Sequence, residues 1–323
     1  MSTYRLSSLD IAKGMLIILV VVAHLPVALR DEVYYFHMPA FFIISGVFLP
    51  PAEKLSPAFI WKKVYSFVIP YIVYLLSIGI TYQFLNGTLD TQSIIKLLLG
   101  GRALYGPLGP FWFISALFVS LLFYYFIEQF FRNRYYKKAC ILLFYIVAHV
   151  EAFVFSIDSL LFYIPLAADV ALLIVPYLYV GRYLRSFMAK LEISTATALK
   201  HLLLFALLAT AVLIAIHYQV VDYQLDMKYV GYNYPLFDVL IPVIFLFAIV
   251  SLSALLNGTM VGKLLELFGM ASLVIMYLHL PLIYLVGRHN HLGVLILTGC
   301  LLPLLLYLVF RRNSFTSMIF LGK

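Results

Sequence analysis

The sequence predicts an all-α, polytopic transmembrane helical bundle of about ten spans, with both termini on the cytoplasmic side. Three observations predict it. Of the 323 residues, 64% are apolar and only 11% charged, against roughly half and a quarter in soluble domains. The mean hydropathy is +1.03. The apolar residues gather into about ten runs near the roughly 20 residues that one crossing takes. Finally, the cations alternate from loop to loop, as the positive-inside rule requires.

The runs fall at about 11–29, 36–50, 60–84, 108–131, 139–156, 163–181, 199–218, 235–256, 266–287 and 292–310. The first has Arg5 ahead of it, and Asp10 and Lys13 lead directly into the apolar stretch Met15–Ala23. A cleaved signal peptide has a similar outline, but the many following runs favour an uncleaved first span. The second run is short, and Pro39 near its start predicts a kink there. Thr91–Leu99 reads as a short surface helix before the turn at Gly100 and Gly101. No internal repeat, low-complexity tract or linker divides the chain, so residues 1–323 read as one integral-membrane domain. Cys140 and Cys300 both lie in apolar stretches and read as packing residues. The eight His residues are scattered, with no metal-ligand spacing, so no metal site is expected.

Orientation follows from Lys and Arg. One side collects 17 of the 22, among them Lys13, Lys62, Lys63, Arg132, Arg134, Arg182, Arg185 and Arg311; the other has Arg30, Lys96, Arg102, Lys228 and Arg288. The net charge of +8 is thus a topology signal, and no nucleic-acid partner is expected. Membrane lipid is the expected surroundings.

Ionisable residues inside spans cost about 2.5–3.5 kcal/mol near the centre on insertion scales, so they mark candidate chemistry. Lys13 and His24 are eleven residues apart, close to three helical turns, which places both on one face about 16 Å apart along the axis. They cannot touch, but they can line one cavity. Asp10 lies one turn before Lys13 and can pair with it. The simpler alternative is a snorkelling lysine and a packed histidine. The second run, FHMPAFFIISGVFL, supplies His37, Ser45 and Gly46. His37 falls at the same depth as His24, and two imidazoles near one outer vestibule suit proton handling; an aromatic-belt position beside Tyr34 and Tyr35 is the competing reading. Ser45 and Gly46 let a neighbouring helix approach closely.

These stretches resemble the acyltransferase-3 family of membrane O-acyltransferases. Its pattern is a basic residue, ten intervening residues and then His in the first span, which Lys13 and His24 match. LDIAKG resembles the family's opening, FHMPAFFIISG its second-span signature, GPFWFISALF its Trp-Phe span, and MYLHLPLIY its penultimate histidine segment. The likeness is strongest over residues 5–50 and looks nearest to the subgroup with fucose 4-O-acetylase-like and intercellular-adhesin-type members. One departure stands out. The family often has two bases a turn apart before the third span's Pro-Tyr; here Lys62 and Lys63 precede Pro70 and Tyr71, and Ser66 holds the second position. Any phosphate grip would then be weaker, or shared with Arg182 or Lys13.

The resemblance implies transfer of an acyl group from cytoplasmic acyl-CoA, with acetyl-CoA first, to a glycan or lipid-linked sugar in a bacterial inner membrane. Lys13, Lys62 and Lys63 would hold the donor phosphates as point charges. His24 would take the proton of the attacking sugar hydroxyl. Ser45 or Trp112 would donate to the oxyanion, and His279 would bind the acceptor, orient His24 or merely pack. Glu151, His149, Asp169 and Asp238 fall near outer mouths, where Asp169 and Asp238 could meet sugar hydroxyls. A transporter or flippase for sugar or lipid is the alternative function, since transporters also carry buried charges, though repeated halves are not visible. A sensor or scaffold is a third.

Overall fold

A computed structural model of the chain describes residues 7–50, 55–88, 90–154, 164–191, 194–287 and 290–323. Arg5, Lys54 and Arg288 of the charge pattern, and the ends of the fifth and sixth expected spans at 155–156 and 163, lie outside them. The described residues form thirteen α-helices of five residues or more. They are α1 (Ser7–Ala23), α2 (Arg30–Tyr34), α3 (His37–Val47), α4 (Pro57–Leu85), α5 (Thr91–Leu99), α6 (Phe111–Phe130) and α7 (Arg134–Val154). Then come α8 (Val170–Leu191), α9 (Thr195–His217), α10 (Phe237–Leu256), α11 (Met260–Met270), α12 (Ser272–Val286) and α13 (Leu292–Phe310). One two-residue antiparallel rung, β1 (Leu225–Asp226) on β2 (Gly231–Tyr232), is the only sheet described.

Every expected run falls on a helix, and α5 spans the residues expected of a surface helix. Six of these helices, namely α4, α6, α8, α9, α10 and α13, are long and apolar enough to cross a bilayer alone, or seven spans if α11 and α12 count as one broken crossing. Two of the shorter ones, α1 and α3, are inner elements. At 1.5 Å per residue, α1 is about 26 Å long and α3 about 16 Å; 11 of the 17 residues of α1 and 10 of the 11 of α3 are buried. Pro39 sits in the first turn of α3, where a missing N–H costs nothing, so the kink appears as the corner between α2 and α3.

Helix starts follow local chemistry. Ser56 accepts from the Phe59 amide at 3.3 Å, Asp90 from Ser93 at 2.8 Å and Thr259 from Gly262 at 3.0 Å, each satisfying an amide that the helix leaves unpaired. The outward faces are apolar: Phe84 of α4 is 73% exposed, and Leu207 of α9 69%. Such surfaces suit lipid, where backbone groups must be satisfied within the helix.

The helices pack as two compact units. The first comprises the described residues of Met1–Leu49, Tyr177–Asp226 and Gly231–Ser272. Its centre is two close helix crossings made by glycine. On α1 and α11, Gly14 and Gly269 face each other's helix so tightly that a Cβ on Gly14 would lie 2.7 Å from the Leu265 carbonyl carbon, and one on Gly269 2.8 Å from that of Asp10. On α3 and α8, Gly46 backs onto Leu178 and Gly181 onto Ile43, the close approach expected of Gly46. Phe205 of α9 stacks on Phe247 of α10 at 4.9 Å.

The second unit comprises the described residues of Pro50–Pro176, Met227–Val230 and Leu273–Lys323. Its core is aromatic: Tyr74 stacks on Tyr277 at 4.6 Å, and Phe111 lies 4.9 Å from Tyr277 and 5.7 Å from Tyr71. After α13, the π-helical segment Ser317–Leu321 returns to α4, bringing Phe320 within 5.7 Å of Tyr74.

Candidate active site

In the first unit, the crossing on α11 fixes the part of α1 that carries Asp10 and Lys13. Lys13 Nζ lies 2.5 Å from Asp10 Oδ1, a pair one turn apart. The lysine keeps partial access to solvent, with 23% of its side chain exposed against 6% for Asp10. It also rests 4.8 Å above the Phe48 ring. Arg185 of α8 donates to the carbonyl of the next residue, Leu49, at 3.2 Å. The C-terminal end of α3 is therefore flanked by two cations, one from α1 and one from α8. Helix ends of this polarity favour cations.

At the other end of α1 the geometry tightens. Pro26 has no amide to continue the helix. The last residues close i→i−3 bonds, from His24 to Val21 at 3.1 Å and from Leu25 to Val22 at 3.0 Å. The helical periodicity thus runs from Lys13 to Ala23, and the 3₁₀ turn sets the direction of His24. His24 Nδ1 lies 2.8 Å from the Val20 carbonyl. A carbonyl only accepts, so Nδ1 carries the proton and Nε2 of the neutral ring carries the lone pair. His37, almost wholly buried, makes the same bond to Val33 at 2.6 Å. Tyr34 stands between the two imidazoles, edge-on to His37 with centroids 5.1 Å apart and 6.5 Å from His24. Ser45 donates to Phe41 at 2.9 Å, so it would have to leave that bond to serve an oxyanion.

The other expected site residues belong to the second unit. Lys62 is exposed near the start of α4, and its carbonyl accepts from Ser66 at 2.5 Å. Ser66 at the expected second basic position is thus turned onto its own helix. Lys63 lies 5.5 Å and 5.7 Å from the rings of Phe59 and Phe67. Trp112 is buried in the first turn of α6, edge-on to Phe113. His279 of α12 is fully buried, with Nδ1 2.8 Å from the Ile275 carbonyl.

A family model described as an acyltransferase domain matches residues 6–318. The chain belongs to the acyltransferase-3 family. No curated protein and no solved structure matches it. The match runs through both packed units, and the multi-pass helical architecture fits a membrane acyltransferase.

Several residues in this acyltransferase take positions that local sequence does not reveal. Asp169 and Glu151, expected near outer mouths, both meet Arg102: Asp169 pairs with it directly, and Glu151 lies 3.6 Å from its Nη2. All three are under 10% exposed, so Asp169 is an internal ion-pair partner. Asp238 is fully buried, and its carbonyl accepts from Tyr177 at 2.9 Å. His149 turns its Nδ1 to the Tyr145 carbonyl at 2.9 Å. Two residues of interest were not singled out by pattern. Arg185 lies one turn beyond Arg182 and carries no local signal apart from charge. Tyr34 reads as an aromatic-belt residue because its contact with both histidines depends on the corner between α2 and α3.

Proposed function

We propose that this acyltransferase moves an acyl group, acetyl first, from cytoplasmic acyl-CoA to a hydroxyl of a cell-surface or lipid-linked glycan. His24 is the general base. The observation that carries this reading is the fixed tautomer of His24: Nδ1–H held on Val20 directs the lone pair of Nε2 away from its own helix. His37 and Tyr34 crowd the same place. Both termini are cytoplasmic, and the helices cross a bacterial inner membrane with His24 toward the outer side.

The donor enters from the basic side. Lys13 holds a phosphate while Asp10 keeps the ammonium in place, and Arg185 adds a planar donor fork that a lysine cannot supply. The pantetheine arm then runs along α1 toward His24. The sugar oxygen attacks the thioester carbonyl carbon as Nε2 takes its proton. The C–S bond breaks, and the CoA thiolate leaves and regains a proton from the imidazolium. General-base help of this kind contributes about 10²–10⁴-fold. Ser45 is a candidate for holding the oxyanion.

The test is His24→Ala in cells, with surface glycan analysed by mass spectrometry and the variant checked in the membrane fraction. Loss of an acetyl-sized modification supports the reading. Unchanged acylation sinks it, and unchanged acylation with lost glycan export points to transport instead.

A further inference from the structure

Beside the histidine pair, the first unit has a cleft of about 450 Å³, within the roughly 300–1,000 Å³ of small-ligand sites. One wall comes from α2 and the corner after it, with Arg30, Asp31, Tyr34 and Tyr35. The opposite wall is the segment from Gln219 to Asp226 that follows α9.

The second wall is built to hold its shape. Tyr223 is buried, stands edge-on to Tyr35 at 5.6 Å and donates to the Tyr35 carbonyl at 3.4 Å. Asn233 donates to the Asp222 carbonyl at 2.6 Å and accepts from the Gln224 amide at 3.0 Å. The rung of Leu225 with Tyr232 and Asp226 with Gly231 closes its end.

The contents of the cleft are selective. Aromatic rings offer apolar faces with polar tips. Asp31, Asp222, Gln219 and Gln224 offer acceptors and amides for hydroxyl groups, and hydrogen bonds to carboxylate are roughly twice as strong as neutral ones. Three aspartates (Asp31, Asp222 and Asp226) against one arginine make the lining acidic. Burial, and then the nearby carboxylates of Glu32, Asp31 and Asp222, raise the Tyr35 phenol, so it stays a neutral donor. Tyr34 links the cleft to the chemistry, since the same residue lines the cleft and lies against both imidazoles.

We infer that this cleft binds the acceptor, a carbohydrate whose units within it carry hydroxyls but no carboxylate, sulfate or phosphate. Like-charge contact excludes acidic glycans. The assignment of the bound sugar as acceptor rests on the function proposed above; the binding itself does not.

The experiment therefore reads binding apart from transfer. Purified, detergent-solubilised protein is applied to an array of neutral and acidic oligosaccharides, as wild type and as Tyr35→Ala, Asp222→Asn and His24→Ala. Wild type should be retained on a subset of neutral glycans and not on their acidic counterparts. Tyr35→Ala and Asp222→Asn should each lose at least tenfold in retention, and His24→Ala should keep it. Asp222→Asn, at an exposed position, guards against misfolding of the tyrosine variant. No retention on any neutral glycan overturns the inference. So does equal retention on acidic ones, or retention that neither cleft variant reduces. If retention follows this pattern while wild type fails to transfer acetyl from labelled acetyl-CoA, the cleft stands and the proposed function falls.

Discussion

Replacing Arg102 with Met strands two buried carboxylates. Arg102 pairs with Asp169 and lies 3.6 Å from Glu151, and the three residues are 4%, 5% and 7% exposed. They come from three separate parts of the second unit: the turn after α5, the end of α7 and the start of α8. With the guanidinium gone, one acid must be protonated or water must enter. Breaking a buried ion pair from one side costs about 3–5 kcal/mol. At roughly 2–4 °C per kcal/mol for a domain of this size class, the unfolding midpoint in detergent should fall by about 6–20 °C. The cost belongs to the stranded charge, so it should be largely recovered by neutralising the acids. Arg102→Met combined with Asp169→Leu and Glu151→Gln should sit closer to wild type than Arg102→Met alone. Thermal unfolding of the three proteins, in one detergent and at one pH, reads this directly. A single variant within 2 °C of wild type, or a triple variant no better than the single one, would refute the reasoning.

Gly269→Ala places a methyl 2.8 Å from the Asp10 carbonyl carbon, and overpacking of this kind costs about 1–3 kcal/mol; Gly293→Ala on α13 meets nothing within 4 Å and should be neutral or mildly stabilising. The pair of melting curves checks the α1–α11 crossing. Lys13→Ala should raise the KM for acetyl-CoA while Lys13→Arg is tolerated, and unchanged donor affinity in the alanine variant refutes the phosphate role. Hydrogen bonding from Ser93, whose amide lies 2.8 Å from Asp90 Oδ1, holds the Asp90 carboxyl below the usual carboxylate range. Its support for α5 is thus present at neutral pH and lost as pH falls through that lowered value. Amide exchange in α5, corrected for intrinsic rate, should quicken as pH falls below the ordinary carboxylate range in wild type and show no such step in Asp90→Ala.

Much of the architecture was legible because it is local. Apolar runs placed every long helix, and the glycines at 100 and 101 marked the end of α5. Spacing alone put Asp10 beside Lys13. The features that depend on distant residues were not legible. Gly14 reads as an ordinary small residue until α11 brings Gly269 against Asp10. The expected ninth span, 266–287, is two helices broken at Ala271, where no proline marks the break. Three helical turns between Lys13 and His24 describe an ideal helix, whereas Pro26 ends α1 early and leaves the imidazole to a tighter turn. Asp169 carries the same local signal whether it faces solvent sugar or Arg102, and only the packing of α8 near the turn after α5 distinguishes the two.

The central claim is that His24 Nε2 takes the proton from an acceptor hydroxyl during acyl transfer. Its most direct test is single-turnover transfer of labelled acetyl from acetyl-CoA to de-O-acylated surface glycan, with purified protein in lipid vesicles. Wild type is compared with His24→Ala at saturating donor. A fall of about 10²–10⁴-fold in the transfer rate, with donor affinity unchanged, is the predicted result. Transfer at the wild-type rate without the imidazole would contradict it.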